Sequence, residues 1–287
     1  MTTIALRLNP DSLALRRFTR NRLAVAGLVV IVLFLLFCFA GPLLYSTDQT
    51  HTDLTQVNLP PGSGHWLGTD AVGHDELGRL MYGGRVSLLV GLAAGLLATV
   101  IGALWGAVAG YAGGWVDAAM MRVVDAGIAI PALFILLVVS AITSPGVPGL
   151  IVILGLVSWL VPARLVRAQT LTLKNRDYVL TLRATGGTHG RAILRHILPN
   201  SVSTLVVAAT FQVADAILLV AYVSYLGLGV QPPSTDWGGM LSAGLTAVYS
   251  DRWWLIVPPG LAIILVVCAF NALGDGLRDA FDVRGRA

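Results

Sequence analysis

Few residues in this chain are placed to do chemistry, and their spacing excludes the commonest kinds. The single lysine, Lys174, is followed by Asn175. A phosphate-cradling loop sets its lysine directly before Ser or Thr, so that nucleotide motif is absent. His51, His65, His74, His189 and His196 show no metal-ligand spacing, although His65 and His74 share one stretch. No H-E-x-x-H or C-x-x-C pattern occurs. Cys38 and Cys268 each sit in a long apolar run, where cysteine packs as a small core residue. One carboxylate stands apart, because Asp215 lies well inside an apolar run. Such a group is expensive in a membrane; it lines a pathway or carries a proton, or else it bonds to a neighbouring helix.

The elements that hold these residues are membrane helices. Hydrophobic residues make up 56% of the 287 and charged residues 12%, and the mean hydropathy is +0.78. Soluble domains carry about 25% charge. The net charge of +4 is therefore read through its placement rather than as a nucleic-acid signal, and no nucleic-acid partner is expected. A spanning helix needs ~20 apolar residues. Spans are predicted at 23–44, 86–116, 124–143, 149–167, 201–230 and 253–273. The first run is too long for a signal peptide and has no convincing cleavage site after it, so it reads as an uncleaved anchor. The second exceeds one bilayer, so it projects or tilts. Ser144-Pro145-Gly146-Val147-Pro148-Gly149 marks a tight turn between the third and fourth spans.

Sixteen of the nineteen basic residues fall on one side of this scheme. They are Arg7, Arg16, Arg17, Arg20 and Arg22; Arg122; Arg164, Arg167, Lys174, Arg176, Arg183, Arg191 and Arg195; and Arg278, Arg284 and Arg286. Arg79, Arg85 and Arg252 fall on the other. The positive-inside rule then places both termini and the 164–200 loop in the cytoplasm. Gly91, Gly95, Gly102, Gly106, Gly110 and Gly114 recur at spacings that put them near one helical face, which predicts close approach of a neighbouring helix. If the chain moves a solute uphill, another subunit or an ion gradient supplies the energy.

The most informative loop reads Asp177-Tyr178-Val179-Leu180-Thr181-Leu182-Arg183-Ala184-Thr185-Gly186-Gly187-Thr188, then Arg195-His196-Ile197-Leu198-Pro199-Asn200. Two short helices separated by Gly186-Gly187 are predicted, a shape suited to docking on a soluble partner; an ordinary amphipathic surface loop is the alternative. The segment resembles the E-A-A–x3–G coupling loop of ABC importer permeases and the R-H-I-L-P-N sequence that follows it. It matches at Asp177, Tyr178, Val179, Arg183, Ala184, Gly186 and 195–200. It departs at Leu180, Thr181 and Leu182, which leaves no glutamate for a carboxylate contact. Other segments resemble the C-type permease subunits of dipeptide and oligopeptide importers: His65 to Asp70 with Gly73 and Asp75; Gly110 to Gly114 with Asp117, Arg122 and Asp125; Tyr225 to Pro233 with Trp237-Gly238; and Trp253 to Asp282. Together they cover nearly the whole chain. A glutamate frequent in that family before its L-G-L-G segment is replaced by Val220.

The resemblance implies an all-α membrane protein with six transmembrane helices, the type I ABC importer permease fold and cytoplasmic termini. Its organisation would be a cytoplasmic segment at 1–22, an anchor at 23–45, an external loop at 46–83, a permease domain at 84–275 with its coupling loop at 169–200, and a tail at 276–287. The coupling residues it implies are Tyr178, Arg183, Ala184, Gly186, Arg195, His196 and Pro199. Asp215 is the candidate for the translocation path. Implied partners are a homologous second permease, two ABC ATPase subunits, an external solute-binding protein and membrane lipid. ATP and Mg would be bound by the ATPases and no cofactor by this chain, which would sit in a prokaryotic cell membrane and be no enzyme. Alternative cargoes are nickel, haem or glutathione. A rival reading is an ion-coupled transporter using Asp215; an intramembrane enzyme lacks a catalytic set.

Overall fold

Asn21 starts the first long helix by accepting a hydrogen bond from the backbone N–H of Ala24 at 3.2 Å, which satisfies a donor the helix itself leaves free. The computed structural model describes residues 10–281 apart from Asp48 and Val248; Arg7, Arg284 and Arg286 lie outside that range. In chain order the helices are α1 (Pro10–Arg20), α2 (Arg22–Phe39), α3 (Gly41–Leu44), α4 (Glu76–Ala112), α5 (Gly114–Ala129), α6 (Ala132–Thr143), α7 (Val147–Ser158) and α8 (Leu160–Leu173). They continue as α9 (Asp177–Ala184), α10 (His189–Ala192), a π-helical turn (Ile193–Ile197), α11 (Leu198–Asn200), α12 (Val202–Tyr225), α13 (Trp237–Gly244) and α14 (Val257–Phe281). Among the described residues no strand forms beyond an isolated bridge between Thr69 and Asp75.

Among the described residues four helical stretches are long and apolar enough to cross a membrane, or up to six if each of two bent helix pairs is one span. The spans expected at 124–143 and 149–167 correspond to the two bent pairs, which cover 114–143 and 147–173. α5 and α6 meet at 78°, and α7 and α8 at 46°. Proline explains both. Pro131 has no N–H to carry the ladder across the first break. Pro162 lies four residues after Ser158 and cannot donate to its carbonyl; Gln212 of α12 does so instead, with its Nε2 2.6 Å away. The turn after Thr143 lies where expected, with Ser144 in a left-handed conformation at φ 41°.

The helix at the centre of the fold is α4. Its 37 residues span ~55 Å at 1.5 Å per residue, well beyond a ~30 Å hydrocarbon core. It begins at Glu76, inside the stretch expected to be external loop, because Asp75 caps it by accepting from Gly78 N–H at 2.7 Å. The glycine face is real but divided. A side chain at Gly91 would strike Ile217, and one at Gly95 would lie 2.7 Å from the Val213 nitrogen, both on α12. Side chains at Gly102, Gly106 and Gly110 would run into α8 at Pro162, Ala163 and Arg167. Gly114 does not belong to this face: it starts α5 at φ 53° with open space around it.

At the far end of α4 the core is keyed by Trp237, fully buried. Its Nε1 donates to the Leu80 carbonyl at 3.0 Å, its backbone N–H to Ser87 Oγ at 3.1 Å, and Phe34 of α2 meets its ring edge-on at 5.7 Å. Cys38 packs in this core as expected; Cys268 does not, being exposed on α14.

Candidate functional site

The 169–200 segment is a helical hairpin laid across the end of α4. Its first five residues still belong to α8, which ends at Leu173. Lys174 then anchors the exit by donating to the Gly110 carbonyl at 2.8 Å. Arg167 grips Asp117 with both arms of its guanidinium, at 2.5 and 2.7 Å; this two-pronged geometry is the strong form of the ion pair and ties α8 to α5. α9 ends in a paired backbone closure. Gly186 N–H donates to Arg183 O at 3.1 Å and Gly187 N–H to Leu182 O at 2.8 Å, with Gly186 at φ 81°. This arrangement satisfies carbonyls that the helix end leaves free and needs a left-handed residue at the turn. A side chain on Gly187 would lie 2.5 Å from Leu182 Cγ, so the second glycine is required by contact and the first by conformation. Thr188 caps α10 by accepting from Arg191 N–H at 3.3 Å. The π-helical turn Ile193–Ile197 leads into α11, whose Pro199 lacks a donor for the ordinary ladder.

One face of the hairpin is fixed and the other is open. Val179, Ala192 and Ile197 are fully buried against Tyr111 at the end of α4. His189 meets the Tyr111 ring edge-on at 5.4 Å, the Arg183 guanidinium lies 5.9 Å from its centre, and Tyr178 and His196 pair at 6.0 Å. Tyr178, Leu180, Thr181, Arg183, Ala184, Gly186, Arg195 and Pro199 are exposed and His196 is half-buried. The fold therefore brings the seven candidate coupling residues onto one hairpin. At Leu180, where the related motif has its glutamate, an apolar side chain is 45% exposed. Sequence reasoning marked Gly187 as part of the break but not its contact with Leu182, and gave Tyr111 no role in the hairpin; these residues close its turn and set it on the helix.

Asp215 lies elsewhere. It is exposed on α12 and forms no hydrogen bond or ion pair among the described residues. The neighbouring-helix bond weighed for it is not present. It opens on a mainly apolar cavity of about 350 Å³ where both helix breaks converge, Ile130 and Pro131 from one and Ser158 and Leu160 from the other.

Between α3 and α4 the chain closes on itself. Asp75 Oδ2 accepts from the Tyr45 hydroxyl at 2.9 Å and lies 2.8 Å from His65 Nδ1, whose Nε2 is 2.7 Å from Gln56. Burial, and next the hydrogen bond to Asp75, push the Tyr45 hydroxyl up to about 12. Asp70 receives the backbone of Val72 and His74 and the His74 ring. Both histidines are thus occupied by carboxylates, and no cluster that could hold a metal occurs among the described residues. At the start of α13, Asp236 caps the helix by accepting from Gly239 N–H at 3.1 Å; burial pushes its carboxyl up to about 6.

Comparison with known proteins agrees with this arrangement. Residues 102–286 match the family model described as binding-protein-dependent transport system inner membrane component. Residues 11–61 match that of the N-terminal TM domain of oligopeptide transport permease C. A relative from Brucella suis biovar 1 is 44% identical over 276 residues, covering 96% of this chain and 91% of the relative. The dipeptide transport system permease protein DppC of Bacillus subtilis is 40% identical over 273 residues, 95% of this chain and 85% of its own. The oligopeptide transport system permease protein OppC of Escherichia coli K12 is 42% identical over 275 residues, 95% and 91% of the two chains.

Proposed function

This chain belongs to the family of binding-protein-dependent transport system inner membrane components, and on that premise we propose that it is a permease subunit of an ATP-driven peptide importer. The peptide cargo follows from the names of its relatives. The protein is a multi-pass membrane protein of the prokaryotic kind. In the finer reading each bent pair is one span, giving six, with both termini and the hairpin cytoplasmic. A second, homologous permease completes the path, two ATPase subunits bind ATP and Mg and grip the hairpins, and an external solute-binding protein delivers cargo.

The observation that carries this reading is the two-faced hairpin. A movement of an ATPase reaches the membrane only through a rigid element held at both sides. The outer face of the hairpin is open to a partner, and its inner face is locked on Tyr111 of α4. From there α4 touches α8 and α12 through glycine contacts with no room for even one carbon atom. Close packing of this kind transmits displacement rather than absorbing it. α12 then bears on the cavity beneath Asp215, between the two helix breaks. The unpartnered carboxylate favours a second reading, coupling to an ion gradient.

One reconstitution separates the two. Vesicles holding this chain with its second permease, its ATPases and its binding protein should accumulate trialanine only with ATP inside the ATPase compartment, and the chain alone should hydrolyse none. In the same vesicles Asp215→Asn should retain most uptake. Uptake that follows a proton or sodium gradient without ATP, and is lost in Asp215→Asn, contradicts the importer reading.

A further inference from the structure

Along one side of α12 two openings follow one another. Ser203, Val207, Phe211 and Asp215 recur every fourth residue, so they share a helical face. Asp215 opens on the apolar cavity between the helix breaks. Ser203 stands ~18 Å away along the helix, toward the hairpin, and with Thr204 lines a second cavity of about 670 Å³ between α8, α12 and α14. The two cavities have opposite charge. The upper holds one carboxylate. The lower holds two guanidiniums, Arg176 and Arg278, with the Thr172 hydroxyl and Gln169 as neutral neighbours. Thr204 donates its hydroxyl proton to Gln169 Oε1 at 3.2 Å, which leaves the Gln169 amide N–H groups as donors. Both arginines are exposed, and neither guanidinium forms an ion pair or hydrogen bond among the described residues.

Two unpaired guanidiniums beside neutral donors, on walls that include Leu165, Val207 and Phe211, suit a carboxylate carried on a partly apolar body. We propose that Arg176 and Arg278 receive the terminal carboxylate of the translocated peptide at the inner end of the path. The inference rests on the peptide-permease reading, since every linear peptide ends in that group. Asp215 supports it from above: its charge repels a carboxylate and draws the ammonium end, which orients the chain. The site is also wired to the hairpin. Arg176 is the capping residue of α9, whereas Arg278 belongs to α14. Displacing the hairpin changes the separation of the two guanidiniums, so their joint hold on a carboxylate varies with docking of the ATPases. Release of cargo would then coincide with the return of the hairpin.

The test uses the assembled transporter in neutral-lipid vesicles, with trialanine and trialaninamide as probes. Replacing both arginines, R176Q with R278Q, should lower trialanine uptake roughly tenfold, the scale of a lost charge-assisted hydrogen bond, and leave the amide within about twofold. Equal loss of both probes, or undiminished trialanine uptake, overturns the inference. A second measurement does not depend on assembly of the variant. In wild-type complex held in neutral nanodiscs, trialanine should slow phenylglyoxal modification of Arg176 and Arg278, and trialaninamide should not. Protection by phosphatidylglycerol but not by trialanine assigns the site to a lipid headgroup and also overturns it. A wild-type complex that imports neither probe contradicts the peptide reading itself, and the protection pattern then still decides what the arginines bind.

Discussion

The hairpin at 169–200 and the segment between α3 and α4 are both polar connections between apolar helices, yet they spend their polar groups differently. In the segment before α4, Tyr45, His65, Asp75, Asp70 and His74 bind one another, and the segment is closed. In the hairpin the backbone does the closing, through Gly186, Gly187 and Thr188, while Tyr178, Arg183 and Arg195 stay exposed. A connection whose side chains satisfy each other supports the fold. One whose order comes from backbone caps and a small buried face keeps its side chains for a partner. Damage to the segment before α4 should therefore appear as lost stability, and damage to the hairpin as lost coupling.

Asp75→Ala should show the largest stability effect. It removes the cap of α4 and the partner of both Tyr45 and His65, at a combined cost of roughly 2–4 kcal/mol. Thermal unfolding of the complex in detergent would register it, and the ATPases should still co-purify. An Asp75→Ala protein as stable as wild type would break the comparison. A smaller effect is expected at Asp236. Its folded carboxyl titrates near 6, above its unfolded value, so its contribution to stability is present at low pH and lost as pH rises through about 6. Wild type should thus lose stability between pH 5 and pH 7 relative to Asp236→Asn, in melting curves collected at both; a constant difference between the two proteins would refute this. The smallest effect belongs to Arg183→Ala. Loss of an exposed cation–ring contact is worth ~0.5 kcal/mol, and uptake should stay within about twofold.

The sequence was most legible where apolar runs and turn residues coincide, as at the turn beginning with Ser144. It was silent at the two bends. Pro131 and Pro162 are visible, but each stands in an unbroken apolar run, and periodicity does not tell a straight span from a bent one. The start of α4 was hidden for the opposite reason: Glu76, Arg79 and Arg85 interrupt hydropathy although the helix continues through them. The glycine row announced a packing face, but only the fold assigns Gly91 and Gly95 to α12 and the next three to α8. Among the candidate coupling residues Gly186 was readable as a break. The pairing of Gly187 with Leu182 and of the hairpin with Tyr111 depends on contacts that a local pattern does not encode.

The central claim is that the hairpin carries motion between the ATPases and α4, and Gly186 tests it most directly. At φ 81° with nothing within 4 Å of an added Cβ, the first carbon of a side chain there meets no neighbour, and a β-branched residue acts first through the backbone, at about 1–2 kcal/mol. Gly186→Val should insert, with its melting temperature lowered by only a few degrees. In vesicles with all partners its ATP-driven trialanine uptake should fall by roughly tenfold or more, the kinetic equivalent of ~1.4 kcal/mol, while the ATPases bind weakly or hydrolyse ATP without transport. Wild-type uptake with normal ATPase retention in Gly186→Val would contradict the account.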